Sequence, residues 1–171
     1  TLRSVLMQVD NILAAEPVDG KPAMIYKGVK PGVTREAFER HIADGAVVND
    51  LVAVPAVVGE CHNLPSGTVH ALGAGVLVAE IQTPSDTTFR VYDWGRAGRE
   101  LHVAQAMQCI EFGPAPVAAK LPPGKLSARL VSTDFFQVHE ARMPAGGVLP
   151  LGESRPGPRV IIALEGSVVL R

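Results

Sequence analysis

Three residues with chemically versatile side chains, His70, Glu80 and Arg90, lie at ten-residue intervals within one stretch, Leu64 to Arg99. An imidazole that follows a Pro-Ser-Gly turn can reach a strand edge and bind an ion such as Zn²⁺. A carboxylate inside the apolar run VLVAEIQ is costly to bury unless it is paired, metal-bound or facing a polar cavity. An arginine suits phosphate binding or stabilisation of an oxyanion. We interpret the stretch as the rim and wall of a small β-barrel active site.

Each of these residues also has a structural interpretation. His70 could simply be hydrogen-bonded within its turn. Glu80 and Arg90 could form an ion pair between successive strands, or both could line a substrate pocket, and spacing alone leaves the two possibilities open. Asp86, in Pro-Ser-Asp-Thr-Thr, is most simply a turn residue that binds its own backbone.

The elements that would position these side chains are mostly short strands, since 17 glycines and 14 prolines break the chain often. The run Val76–Gln82 predicts a strand buried on both faces, and Thr87–Trp94 predicts a second strand rich in β-branched and aromatic residues. Thr34 predicts a helix N-cap, followed by an apolar stripe through Phe38 and Ile42. Further strands are predicted at 5–9, 12–15, 23–27, 60–64 and 69–71, and a second amphipathic helix at 101–110.

The Pro-rich run 113–125 predicts a linker. We therefore predict a catalytic domain at 1–112 and the start of a second β-domain at 126–171. Strands are expected in this second unit at 128–132, 135–143 and 159–164.

The composition argues against a nucleic-acid-binding protein and against a membrane-spanning protein. The chain has 171 residues, 47% of them hydrophobic and 19% charged, with a net charge of −1. No basic run indicates nucleic-acid binding, and no apolar run is long enough to span a membrane. Two cysteines, Cys61 and Cys109, and the absence of a signal-peptide pattern predict a cytoplasmic protein with reduced thiols, and a single bridge between the two cysteines is the alternative.

The run PSGTVHALGAGVLVAEIQTPSDTTFRVYDWGR closely resembles type I mannose-6-phosphate isomerases of the cupin superfamily. The resemblance implies a mainly β fold, a cupin (jelly-roll) barrel with a few short helices followed by part of a second cupin-like barrel. It also implies an enzyme that interconverts mannose 6-phosphate and fructose 6-phosphate through an enediol, with one Zn²⁺ in the catalytic domain and a sugar phosphate as its small-molecule partner. The oligomeric state does not follow from it.

Residue roles follow from the same resemblance. The family holds zinc with a Gln, two His and a Glu, and the His of its P-x-G-T-x-H-A motif corresponds to His70. The Arg of S-D-T-T-x-R, the family's proposed catalytic residue, corresponds to Arg90. Glu80 and Asp86 fall in the pocket wall.

The chain departs from the family pattern near its start. Met7-Gln8-Val9-Asp10 is similar to the beginning of the Q-V-H-P-x-D/N motif without its His-Pro, so Gln8 is a candidate ligand, and the K-T-E-x-W motif is not found. Either the chain is divergent, or the sequence lacks stretches of a longer polypeptide, which the abrupt join favours. The alternative function is therefore a non-catalytic sugar-binding cupin that has lost part of its metal site.

Overall fold

A computed structural model describes residues 7–85, 87–96, 98–150 and 157–169. The described chain is mainly β, as expected, with two α-helices and a short 3₁₀ helix at Val47–Asp50. No helix in these ranges is long and apolar enough to cross a membrane. The strands are β1 (Gln8–Ala15), β2 (Met24–Val29), β3 (Leu51–Pro55), β4 (Glu60–Leu64), β5 (His70–Leu72), β6 (Val76–Gln82), β7 (Ala119–Lys120), β8 (Ser127–Ser132) and β9 (Gln137–Ala141). The α-helices are α1 (Arg35–Ala43) and α2 (Val103–Cys109).

Two antiparallel sheets make up the first part of the chain. One has the order β6-β1-β4-β7 and the other the order β3-β2-β5. A tight turn joins β1 to β2: Asp19 and Gly20 both have positive φ, and the backbones of Val18 and Lys21 bond to each other at 3.0 and 2.9 Å. This is the turn that the Asp-Gly pair predicts.

Gly28 is the residue at which β2 bends. Its φ is +73°, and the register of β2 against β3 shifts between Tyr26 and Val29. A β-carbon at Gly28 would lie 2.4 Å from the backbone nitrogen of Ala115. The predicted linker therefore runs against the first sheets: Val29 donates to Gly113 O at 2.8 Å, and β7 pairs with β4.

Both helices cover an outer face of the second sheet. Thr34 caps α1 as predicted, because its hydroxyl accepts a hydrogen bond from the Ala37 backbone at 3.2 Å. Phe38 and Ile42 are buried, as their spacing predicts. One apolar cluster joins the helices to the sheet: Val29, Phe38, Ile42, Val47, Leu51, Ala106, Met107 and Ile110.

The hairpin β8–β9 packs on the outer face of the first sheet. Val131 of the hairpin forms a buried cluster with Val9 of β1 and Cys61 of β4. The division into domains at 112 and 126 stays a prediction, but this contact and β7 join the second unit to the first.

Some predicted elements are wrong. β6 has its predicted bounds, but its side chains are half-buried or exposed rather than buried on both faces. No strand forms in the described residues of 87–94 or at 159–164. The predicted separate strands at 5–9 and 12–15 form one strand, β1, within the described residues. The second helix begins at Val103 rather than Leu101.

Candidate functional site

A row of three polar residues crosses the inner face of the first sheet. Asp10 of β1 lies directly opposite Glu80 of β6 and directly opposite His62 of β4. Residues that face each other in antiparallel strands point to the same side of the sheet. Asp10 and His62 are fully buried, at 0% and 1% exposure, whereas Glu80 is exposed. The row therefore leads from the protein surface to the interior.

The amide of Gln8 bridges the two carboxylates of this row. Its Nε2 donates to Asp10 Oδ1 and to Glu80 Oε2, at 3.0 Å in both cases. Gln8 lies two positions before Asp10 on β1, so strand alternation places both side chains on one face. The bridge gives Glu80 a partner other than the Arg90 that the sequence suggested, and among the described residues no ion pair joins Glu80 to Arg90.

The second sheet contributes His70 and Lys27, which are direct neighbours on β5 and β2. His70 Nδ1 lies 2.9 Å from the carbonyl oxygen of Thr68. This contact places the ring proton on Nδ1 and leaves Nε2 as the free acceptor. The Lys27 ammonium group is buried and donates to the carbonyl oxygen of Pro116 at 2.8 Å.

Burial acts on both carboxylates, and neighbouring groups modify its effect. Burial raises the pKa of Asp10, while the Gln8 hydrogen bond and, when it is protonated, the His70 ring lower it. Burial and the Asp10 charge raise the pKa of Glu80, and a protonated His70 ring opposes the rise. The influence of His70 on both groups indicates that the two sheets face each other across this cluster.

The neighbouring imidazole of His62 is held neutral. Burial and the positive charge of Lys27 lower the pKa of His62 to about 4. Burial also lowers the pKa of Lys27, against a smaller effect of the Glu60 charge.

The donor types in this cluster suit a divalent cation, although their spacing does not complete a site. His70 presents a free Nε2 while its other ring nitrogen binds a backbone carbonyl, as in histidine ligands of metals. Asp10 Oδ2 is buried and has no hydrogen-bond partner within the described ranges. However, no three His, Cys, Asp or Glu side chains in the described part of the chain are grouped so that they could hold a metal ion.

Arg90 lies on the irregular segment that follows β6. Its side chain is half-buried and donates to Glu100 O at 3.5 Å, while its own carbonyl accepts from the His102 backbone at 2.7 Å. From the same segment, Tyr92 and Trp94 line a cavity of about 40 Å³ together with His70. Asp86, the remaining predicted pocket residue, lies outside the described residues.

Two further arginines lie on this segment and share one carboxylate. Asp93 is buried, and its oxygens lie 2.6 Å from Arg96 Nη2 and 3.7 Å from Arg99 Nε. Both arginines keep more than half of their side-chain surface exposed. One carboxylate between two guanidinium groups leaves a net positive charge at this surface.

Asp10, His62 and Lys27 were not predicted from the sequence to be members of the polar cluster. Period-two alternation along β1 places Asp10 beside Gln8, and this signal was readable from the sequence. The positions of His62 and Lys27 depend on strand pairing between distant parts of the chain, which a single sequence does not show.

The chain is similar in sequence to proteins named mannose-6-phosphate isomerase. The chain is 35% identical over 118 residues to a mannose-6-phosphate isomerase of Streptococcus mutans, and 43% identical over 127 residues to a probable mannose-6-phosphate isomerase of Bacillus subtilis. These alignments cover 63% and 68% of this chain, but only 36% and 40% of the two relatives. No family model matches the chain.

The fold has a counterpart of known structure. The crystal structure of the mannose 6-phosphate isomerase from Bacillus subtilis aligns with a TM-score of 0.66 and 26% sequence identity. The alignment covers 78% of this chain and 44% of that protein. This likeness confirms the predicted mainly β, cupin-like fold class.

Proposed function

We propose that this chain, a relative of the mannose-6-phosphate isomerases over part of their length, forms a sugar-phosphate site between its two sheets and interconverts mannose 6-phosphate and fructose 6-phosphate. One observation carries the proposal beyond the relatives' names. The Gln8 amide holds the Asp10 and Glu80 carboxylates together, on the face that looks toward His70. Paired carboxylates at the mouth of a protein interior are suited to moving protons.

The reaction is an internal proton transfer without any oxidant. In the aldose, C1 is an aldehyde and C2 carries a hydrogen and a hydroxyl. Removal of the C2 proton and addition of a proton to O1 give the enediol, and a proton added to C1 with loss of the O2 proton gives the ketose. We assign the movement of the carbon-bound proton to Glu80, whose carboxylate is exposed at the open end of the row. Its raised pKa makes the ionised form a stronger base than an ordinary glutamate.

Positive side chains would complete the site. Arg90 is assigned to the negative charge that develops on the enediolate oxygens, because a guanidinium can donate two parallel hydrogen bonds to them. Arg96 and Arg99 are assigned to the phosphate group. Asp93 holds the two arginine side chains close together, so less side-chain conformational entropy is lost when an anion binds.

We propose Zn²⁺ as the metal, with His70 as a ligand and Gln8 as a second. A bound zinc ion would act as a Lewis acid on the substrate oxygens. The free Nε2 of His70 and the unpartnered Asp10 Oδ2 support a cation at this place. We also propose a cytoplasmic location, which the buried free thiol of Cys61 supports.

The second candidate function is sugar binding without turnover. It is favoured by one observation, that the described residues contain no three-ligand metal group. A chain of this kind would bind mannose 6-phosphate and release it unchanged.

The test compares wild type with His70→Ala and with His139→Ala, a control in the exposed part of β9. We expect conversion of mannose 6-phosphate by wild type and by the control, and a loss of at least a hundredfold in His70→Ala, by analogy with the removal of one electrostatic catalytic group. Binding of mannose 6-phosphate by wild type without any conversion would favour the second candidate. Equal activity in all three proteins would refute the role of His70.

A further inference from the structure

His62 is a buried titratable residue that the proposed reaction does not use. Only 1% of its surface is exposed, and neither ring nitrogen has a hydrogen-bond partner among the described residues. A carboxylate oxygen, Glu60 Oε2, lies 3.6 Å from Nε2, which is beyond hydrogen-bond distance.

Two unpartnered nitrogens in a protein interior are unfavourable. A buried donor or acceptor without a partner loses its hydrogen bonds to water and gains nothing in return. A phenylalanine would fill nearly the same space without this loss. A histidine here is therefore explained by a partner that is not part of the described chain.

The placement of His62 indicates where that partner lies. The imidazole stands at the inner end of the row that begins at the exposed Glu80 and passes through Asp10. Asp10 Oδ2 is also buried and without a partner. Two directly opposite residues thus carry three buried polar atoms without a hydrogen-bond partner among the described residues: Asp10 Oδ2, His62 Nδ1 and His62 Nε2. They lie on the face of the first sheet that we assign to the sugar phosphate.

We propose that His62 is a substrate-binding residue whose imidazole forms hydrogen bonds with hydroxyl groups of the hexose phosphate. The inference rests on the proposed function, and it adds a residue that determines affinity for the polyhydroxylated carbon chain. A neutral imidazole offers one donor and one acceptor, and a hydroxyl can complement either. Lys27 faces His62 from the second sheet and Glu60 lies on its own strand, and the charge of Lys27 favours the neutral ring.

The first test uses steady-state kinetics and thermal unfolding of the intact chain. In His62→Phe we expect the KM for mannose 6-phosphate to rise about fivefold, as for the loss of one neutral hydrogen bond. The melting temperature should stay equal or rise, because the variant removes an unsatisfied buried group. His62→Gln keeps a donor and an acceptor and should recover part of the affinity. His139→Phe, in the exposed part of β9, is the control and should change neither quantity.

The second test observes the His62 imidazole directly by NMR. The imidazole ¹⁵N resonances of His62, assigned by their loss in His62→Phe, should shift when mannose 6-phosphate is added and stay in place with inorganic phosphate alone. An unchanged KM in His62→Phe, or resonances that do not move with the sugar phosphate, would overturn the proposal and leave a buried water as the partner of His62.

Failure of the His62 proposal and failure of the proposed function give different results. If wild type converts mannose 6-phosphate while His62→Phe has the same KM, only the role of His62 is refuted. If wild type neither converts nor binds mannose 6-phosphate and no His62 resonance shifts, both proposals fail.

Discussion

Asp10 and Glu80 lie directly opposite each other on neighbouring strands, and a single amide group donates to both carboxylates at 3.0 Å. The charge of Asp10 repels Glu80 and raises its pKa, and burial raises the pKa of both carboxyl groups. The amide of Gln8 offsets part of this repulsion but does not remove the cost of burying Asp10. The pair therefore lowers the stability of the chain at neutral pH, and stability is commonly lower at functional sites.

The first prediction concerns the charge on Asp10. Because the folded-state pKa of Asp10 is raised, the folded protein binds this proton more readily than the unfolded protein does. The charge of Asp10 therefore destabilises the folded protein most at neutral pH, and this destabilisation is relieved as the pH falls through the folded-state pKa. Asp10→Asn should raise the free energy of unfolding at pH 7 by about 1 kcal/mol, measured by urea denaturation. A difference in unfolding free energy between Asp10→Asn and wild type that does not shrink at lower pH would contradict this prediction.

The second prediction concerns His62, whose effect on stability changes with pH in the opposite direction from that of Asp10. Its pKa is lowered from 6.5 to about 4 in the folded state, so between these values the unfolded chain binds the proton more readily. Relative to His62→Phe, wild type should lose about 3 kcal/mol of unfolding free energy between pH 7 and pH 4. Urea denaturation of both proteins across this range measures the difference. A difference that stays constant with pH would show that the folded-state pKa is ordinary.

The third prediction separates backbone strain from steric clash at two glycines. Gly20 and Gly28 have nearly the same positive φ, +71° and +73°, but only Gly28 faces other atoms, with Ala115 N 2.4 Å from a would-be β-carbon. Gly20→Ala should cost about 1 kcal/mol of unfolding free energy, from strain alone. Gly28→Ala should cost several times more, since residues 113–115 must also move. Equal costs in thermal or urea unfolding would mean that this segment does not pack against β2.

The fourth prediction tests the packing of the β8–β9 hairpin. Cys61 of β4 is fully buried in contact with Val131 of the hairpin. Burial raises the pKa of its thiol to about 11. At pH 8 it should resist a thiol reagent until the protein unfolds, because only the thiolate reacts. Cys109, which is half-buried, should react first. Labelling of wild type and of a Cys109→Ser variant distinguishes the two thiols, and rapid labelling of Cys61 in the folded protein would mean that the hairpin does not cover it.

Local signals in the sequence predicted the local structure well. The strand at 60–64 has its predicted bounds, and Thr34, Phe38 and Ile42 take their expected places in α1. A capping hydroxyl and an apolar stripe act within a few residues of where they stand, so a single sequence reveals them.

Features that depend on distant partners were harder to predict. The segment 87–94 has β-forming residues, yet no strand forms in its described part, because propensity does not supply a neighbouring strand. The polar row through Asp10 likewise depends on the register of β1 against β4 and β6. The resemblance predicts roles for His70, Glu80 and Arg90, but only the paired strands reveal that Asp10 and His62 lie in one row with Glu80.

The proposed isomerase activity can be measured as the rate at which the purified chain converts mannose 6-phosphate to fructose 6-phosphate, before chelation, after chelation and after zinc is returned. We expect conversion that the chelator abolishes and zinc restores, with the fold unchanged by circular dichroism. A folded chain without conversion in any of the three states would refute the proposed function.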